Sequence, residues 1–443
     1  MTPSSAGHGV VVAPGPLAAT IRPPGSKSET NRLLVCAALA AGTSTIHDVL
    51  VADDTEAMLA GLTALGVQLE VSTVDSSPGN ATVTVVGCAG RPPGGGSIDA
   101  RLSGTTSRFL IPVAALGEAP SVVDGDVPLR SRPMADLLDA VAALGGGVEP
   151  LGESGHLPVR VGAPRLTGGP VSIRGDVSSQ FLSALLLAGP CLANGLHVEL
   201  TSALVSVPYV QMTLDAMSRF GARVDGDVTS SLAVGATGYS GAELTVEADA
   251  TAASYFMAAP LIAGGRVRVE GVGSASVQGD AAFAEVLRSM GAEVRQGPDW
   301  TEVASSGELH GVDVDLADMS DTAQTLAVVA PFASSPTTVR GIGFIRAKET
   351  DRIAAVVTEL QRLGVDAVAE PDGFTIRPGR PSGGVVQTYG DHRMAMSFSL
   401  IGLAVPGLVI ADPGCVDKTY PRFWDDLDRV VTDSGRGASP ATL

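Results

Sequence analysis

Only three of the 29 basic residues in this chain are lysine, Lys27, Lys348 and Lys418; every other positive charge is written as arginine. Arginine is a fixed planar cation, whereas lysine is a compact point charge that can also move a proton. Each lysine stands in a dense polar cluster: Gly25-Ser26-Lys27-Ser28, Lys348-Glu349-Thr350-Asp351-Arg352, and Asp417-Lys418-Thr419-Tyr420. Carboxylates able to exchange protons, set beside cations able to neutralise phosphate or carboxylate, are the equipment of acid–base chemistry on anionic substrates. Lone lysines are more often solvated surface charges. Three such clusters in so arginine-biased a chain favour function.

The elements that would position these residues follow from a long repeat. Apolar helix-like runs open after a short polar stretch at Ser26, Gly104, Ser178, Thr251, Ser320 and Asp391, at steps of 78, 74, 73, 69 and 71 residues. Amphipathic helices stop at glycine on the same beat, at Leu65-Gly66, Leu144-Gly145, Phe220-Gly221, Met290-Gly291 and Leu363-Gly364, and alternating strand-like segments such as VQLEV follow. Glycine suits the left-handed residue that closes a helix. Six α/β units, three per domain, are expected, each with one helix apolar all round and therefore buried and one with a polar outer face. Ser, Thr, Asp or Gly at the start of each buried helix caps it and leaves N–H groups at the positive end of its dipole. Parallel buried helices would bring these ends together as an anion site.

Composition sets the bounds. At 443 residues two domains are the prior. The net charge of −18, with no basic stripe, argues against nucleic acid. No apolar run is long enough to span a membrane, and the opening 25 residues read neither as a secretory signal nor as a transit peptide. Cys36, Cys88, Cys191 and Cys415 form no CxxC pair, and Cys36 and Cys191 fall in apolar helix-like runs as buried thiols; a reducing cytoplasm and no metal site are expected.

Seven segments in order carry a resemblance that spans nearly the whole chain: Gly25-Ser26-Lys27-Ser28-Glu29-Thr30-Asn31-Arg32, Ser103-Gly104-Thr105-Thr106-Ser107-Arg108, Arg130-Ser131-Arg132-Pro133, Asp176-Val177-Ser178-Ser179-Gln180-Phe181, Lys348-Glu349-Thr350-Asp351-Arg352, Asp391-His392-Arg393-Met394-Ala395-Met396 and Lys418-Thr419-Tyr420-Pro421. In these the chain resembles the EPSP synthase family of enolpyruvyl transferases. The resemblance implies an α/β fold of two domains, each of three repeated α/β units around buried parallel helices (an inside-out α/β barrel), with residues 1–24 joining 247–443, residues 25–246 forming the other domain, and the active site in the cleft between them. It implies transfer of the enolpyruvyl (carboxyvinyl) group of phosphoenolpyruvate to the 5-hydroxyl of shikimate 3-phosphate, with release of phosphate by addition and elimination, on the route to chorismate and the aromatic amino acids. No cofactor and no metal is implied, and the partners are these two small molecules; a cytoplasmic monomer is expected.

The resemblance also implies roles. Asp321 would accept the hydroxyl proton, and Glu349, with Lys27 sharing the duty, would exchange the proton at C3. Phosphoenolpyruvate would meet Lys27, Gly104, Arg130, Gln180, Arg352, Arg393 and Lys418, with Arg132 the alternative to Arg130. Shikimate 3-phosphate would meet Lys27, Ser28, Arg32, Ser178, Ser179, Gln180, Ser206, Asp321 and Lys348, while Tyr209 lies along the shikimate ring or in the core. His392 reads as structural. Phe344 stands where many family members have Asn and Val207 where lysine is frequent, departures that bear on affinity and not on the reaction.

Three other readings are weighed. UDP-N-acetylglucosamine 1-carboxyvinyltransferase shares the architecture and the donor, but that family usually carries a reactive cysteine on a mobile first-domain loop, and Cys88 lies in a strand-like stretch. An ATP-dependent kinase would need a GxxxxGK[ST] frame, which Gly25-Ser26-Lys27-Ser28 lacks. A non-catalytic anion-binding protein would not need Asp321.

Overall fold

The computed structural model describes residues 7–10, 12–13, 15–73, 79–162 and 164–436. The chain divides into two compact units, one of Gly25–Glu247 and one joining Met1–Pro24 to Ala248–Leu443. Glu247 belongs with the first: its carbonyl accepts from Ser26 N and its N–H donates to Glu29.

One sheet plan recurs five times in full and a sixth time in part. In the first unit Glu243–Thr245 runs parallel to Thr43–Leu50, and Asn80–Val86 and then Gln68–Thr73 continue antiparallel. The same order, a parallel pair and then an antiparallel hairpin, holds for the sheets containing Ser121–Asp124 and Leu196–Leu200. In the second unit it holds for the sheets containing Gly265–Glu270 and Thr337–Arg340, and Gly384–Val386 pairs in parallel with Leu408–Ile410. The N-terminal segment explains why that unit is discontinuous. Leu17–Ile21 supplies the parallel partner of Gly265–Glu270, and His8–Gly9 lies antiparallel to Leu408–Ile410.

Inner helices back the sheets: Lys27–Leu39 lies on Thr43–Leu50, Gly104–Ala115 on Ser121–Asp124, Ala250–Ala263 on Gly265–Glu270 and His392–Gly402 on Leu408–Ile410. Lys27–Leu39, Gly104–Ala115 and Ser179–Ala188 pack on one another in the first unit, and Ala250–Ala263, Ala323–Val329 and His392–Gly402 do so in the second. All but a few of their side chains are buried, as runs without a polar face require. A buried leucine such as Leu185 contributes about 1.5–3 kcal/mol through burial, and its truncation to alanine would cost about 2–5 kcal/mol. In the second unit Ser254, Thr325 and Ser397, each near the start of its helix, are joined by hydroxyl contacts of 3.1 and 3.4 Å. The three helices therefore start at the same level.

The outer helices end where glycine was expected to end them: Gly66, Gly145, Gly221, Gly291 and Gly364 have φ of +87°, +89°, +85°, +103° and +85°. The helix starts need two corrections. The cap of Ala250–Ala263 is Asp249, whose carboxylate accepts from Ala252 N, and Thr251 sits inside the first turn. Ser320 caps nothing; it opens a single 3-10 turn, Ser320–Thr322, that leads into Ala323–Val329. Of the cysteines, Cys36 is buried as expected, whereas Cys191 is only half-buried at the end of the short turn Gly189–Cys191.

Candidate active site

In the Gly25–Glu247 unit the inner helices bring their first turns together. Ser26, Ser103 and Ser178 cap them by accepting from the N–H groups of Glu29, Thr106 and Gln180. Lys27 Nζ lies 3.3 Å from Asp54, whose carbonyl accepts the Thr106 hydroxyl, so the first and second helices begin side by side. Arg108 Nη1 donates to Gln180 Oε1 at 2.6 Å, which places the third start beside the second. A Cβ on Gly104 would stand 3.0 Å from Arg108 Nη1 and 3.1 Å from Arg132 Nη1. Two guanidiniums and a carboxamide thus crowd a bare stretch of backbone at a helix N-terminus, where an anion is favoured.

Arg130 is not part of this group. It is half-exposed, and its guanidinium makes a two-pronged bond to Asp124 at 2.9 and 2.7 Å. The short helix Val127–Arg130 ends here, and the turn after it carries Arg132 inward to Gly104, with only 7% of Arg132 exposed. Of the two alternatives, it is Arg132 and not Arg130 that lies beside Gly104. Arg108 was quoted in its motif but given no role. The signal was present, since four residues on from Gly104 is the same face of a helix.

Arg32 is buried with its three nitrogens spread over three acceptors: Nε donates to Thr213 Oγ1, Nη1 to Ser28 O and Nη2 to Tyr209 O at 2.7–2.9 Å. Its plane lies over the rings of Phe109 and Tyr209. Burial lowers its pKa to about 10. Arg32 therefore braces Ser28 and Tyr209, the latter on the outer helix Val207–Arg219. That helix is led in by Ser206, buried and left-handed at φ +55°. A non-glycine residue held there costs of order 1–3 kcal/mol and marks a constrained position. Ser178 and Ser179 stand at the start of Ser179–Ala188, with Ser179 buried.

In the other unit the centre is Arg352, 2% exposed and bound by three carboxylates: Asp391 at 2.8 Å, Asp321 at 2.9 Å and Glu349 at 2.8 Å. Burial works to lower its pKa, but Asp391, Glu349 and Asp321 together outweigh burial and raise it, so the cation is locked. Asp391 also caps His392–Gly402 by accepting from Arg393 N, and Arg393 Nη2 donates to Asp321 at 2.7 Å. Asp321 is thus held between two guanidiniums, and Glu349 lies between Arg352 and Lys418, whose Nζ is 3.8 Å away. Lys348 sets its ammonium 5.9 Å from the centre of the Phe344 ring, a cation–π partner. His392 is buried 3.7 Å from Asp391. Breaking such a buried network on one side costs about 3–5 kcal/mol.

Two further residues join this group. Tyr255, one turn into Ala250–Ala263, takes Arg393 Nη1 at 3.5 Å, and burial pushes its phenol up to about 12 against the pull of Arg393. Asp280, in the 3-10 turn Gly279–Ala282, accepts the Thr251 hydroxyl. Burial, then the neighbouring charge of Asp321, pushes its carboxyl up to about 7. No local pattern marks Asp280, because its neighbours are distant in sequence. Among the described residues no group of His, Cys, Asp and Glu is arranged to hold a metal, and no helix is long and apolar enough to cross a membrane.

Two threefold α/β units, each gathering cations where its inner helices begin and one of them adding carboxylates, define the enolpyruvyl-transferase class. The profile of the EPSP synthase (3-phosphoshikimate 1-carboxyvinyltransferase) family matches residues 11–427, and the chain belongs to that family. It is 42% identical over 418 residues to the 3-phosphoshikimate 1-carboxyvinyltransferase of Nostoc punctiforme, covering 92% of this chain and 95% of that one. It is 44% identical over 422 residues to that of Thiobacillus denitrificans, covering 93% and 96%. In structure it resembles the EPSP synthase of Acinetobacter baumannii with a TM-score of 0.78 at 26% identity, over 95% of this chain and 97% of that one.

Proposed function

We propose that the chain is a 3-phosphoshikimate 1-carboxyvinyltransferase: it joins the carboxyvinyl group of phosphoenolpyruvate to the 5-hydroxyl of shikimate 3-phosphate and releases phosphate, in the pathway to the aromatic amino acids. The observation that carries this reading beyond family membership is Asp321, a carboxylate held between Arg352 and Arg393. Asp321 takes the proton of the 5-hydroxyl as its oxygen bonds to C2 of phosphoenolpyruvate, while Glu349, aided by Lys27, gives a proton to C3. In the second half C3 returns its proton, the C2–O bond to phosphate breaks, and the proton taken from the hydroxyl leaves with the phosphate. Each step moves one proton to or from a placed group, the kind of assistance worth about 10²–10⁴-fold.

In this reading Lys27, Gly104, Gln180, Arg352, Arg393, Lys418 and, in place of Arg130, Arg132 and Arg108 take up phosphoenolpyruvate. Gly104 lets the donor reach the backbone, and the guanidiniums fork its carboxylate and phosphate. Lys27, Ser28, Ser178, Ser179, Gln180, Ser206, Asp321 and Lys348 take up shikimate 3-phosphate, with Arg32 bracing Ser28 from behind. All four cysteines are thiols, which supports a reducing compartment, the cytoplasm.

Phosphate release in the presence of phosphoenolpyruvate decides the acceptor. Turnover is expected with shikimate 3-phosphate; turnover only with UDP-N-acetylglucosamine would overturn the reading.

A further inference from the structure

The geometry points to Asp280 as a positioning residue whose charge state sets how strongly Asp321 takes up a proton, acting through Arg393. This rests on the reading of Asp321 as the base. The turn Gly279–Ala282 packs against both the turn Ser320–Thr322, which carries Asp321, and the helix Ala250–Ala263, which carries Thr251 and Tyr255. Asp280 is 3% exposed and accepts the Thr251 hydroxyl. Beside it, Gln278 bridges Ala250 N and Ala248 O and closes off the backbone. The charges bearing on it are Asp321 and Asp249, which oppose its ionisation, and Arg393, which favours it. Tyr255, the remaining titratable group on the neighbouring helix, stays neutral because burial pushes its phenol up to about 12.

Thr251, which donates to Asp280, and Tyr255, which meets Arg393, lie one turn apart on the same face of Ala250–Ala263, so Asp280 and Asp321 share the neighbourhood of one arginine. Arg393 Nη2 is already given to Asp321 at 2.7 Å. When Asp280 keeps its proton, Arg393 stabilises Asp321 alone, and Asp321 is a weak base. When Asp280 ionises, a second negative charge draws on the same guanidinium, and the proton affinity of Asp321 rises. With Asp280 pushed up to about 7, the change falls close to neutrality. Asp280 itself touches no reacting atom.

Asp280→Asn keeps the shape and the contact with Thr251 but cannot ionise. Its kcat is expected to match the native enzyme at low pH and to fall several-fold below it at alkaline pH, with the inflection near neutrality gone and both KM values within about twofold. A profile superimposed on the native one would overturn the proposal, because a merely structural aspartate would not change its shape. Infrared spectroscopy gives a second measurement that does not depend on Asp280→Asn: in the native protein a buried protonated carboxyl band is expected to persist to about pH 6 and vanish above neutrality, and to shift in frequency in Thr251→Val. Absence of such a band overturns the proposal even if Asp280→Asn does not fold. Failure of native turnover with shikimate 3-phosphate at every pH would instead sink the function, and the band would still report on Asp280.

Discussion

Arg352 Nη1 meets Asp321 Oδ1 at 2.9 Å, and the other oxygen of the same carboxylate is taken by Arg393 at 2.7 Å. A carboxylate clamped this way is held ionised and fixed in direction, ready to receive a proton but unable to turn away from it. Replacing Asp321 by Asn keeps the shape and removes the basicity. Turnover measured by phosphate release is expected to fall about 10³-fold, while calorimetric affinities for both ligands change by less than about tenfold. Comparable losses in both would mean that Asp321 binds and does not catalyse.

Arg130 and Arg132 separate cleanly. Arg130 spends its guanidinium on Asp124 at a half-exposed surface, where ion pairs are worth about 0–1 kcal/mol. Arg130→Ala is expected to leave the KM for phosphoenolpyruvate within about twofold, and Arg132→Ala to raise it about 30-fold or more, in line with loss of a charge-assisted bond. Steady-state kinetics with varied phosphoenolpyruvate checks both, and the reverse ranking would return the assignment to Arg130.

Gly104 opens its helix with a backbone that accepts a side chain, so Gly104→Ala should fold and melt at or slightly above the native temperature, alanine being the better helix former by about 1 kcal/mol. The added methyl would press on Arg108 and Arg132 at 3.0 and 3.1 Å. The expected outcome is an unchanged melting curve together with a KM for phosphoenolpyruvate raised about tenfold, a combination that a stability defect cannot produce.

Asp280 also makes a prediction about stability. Its folded pKa is raised to about 7 from an ordinary value of 3.8, so the native state binds this proton more tightly than the unfolded chain. Its stabilising contribution is full below about pH 4 and is lost as pH rises through about 7. Asp280→Asn lacks this loss. The melting temperature of the variant relative to native is therefore expected to climb between pH 4 and 8, as read by calorimetry at matched ionic strength. A constant difference across that range would mean that Asp280 is ionised throughout.

The sixfold repeat, the buried and outer helices, the glycine stops and most of the polar clusters were legible in the sequence, because each is written in a short stretch: a cap, an apolar run, a glycine that accepts positive φ without strain. Lys27, Asp321, Glu349, Arg352 and Arg393 were legible for the same reason, each lying at or beside a helix or turn start, and Lys418 by the polar cluster around it. What the tertiary structure decided is which side chains face one another. Arg130 and Arg132 are two residues apart with the same chemistry, and only the end of the helix Val127–Arg130 turns one to Asp124 and the other to Gly104. Arg32 was expected to hold a ligand and is found bracing Ser28 and Tyr209; two of its three acceptors, Tyr209 O and Thr213 Oγ1, come from a helix 177 and 181 residues away. Asp280 carried no local sign. It lies 41 residues before Asp321 and 113 before Arg393, and its burial beside them, which shifts its proton affinity, arises only when the helices of that unit pack.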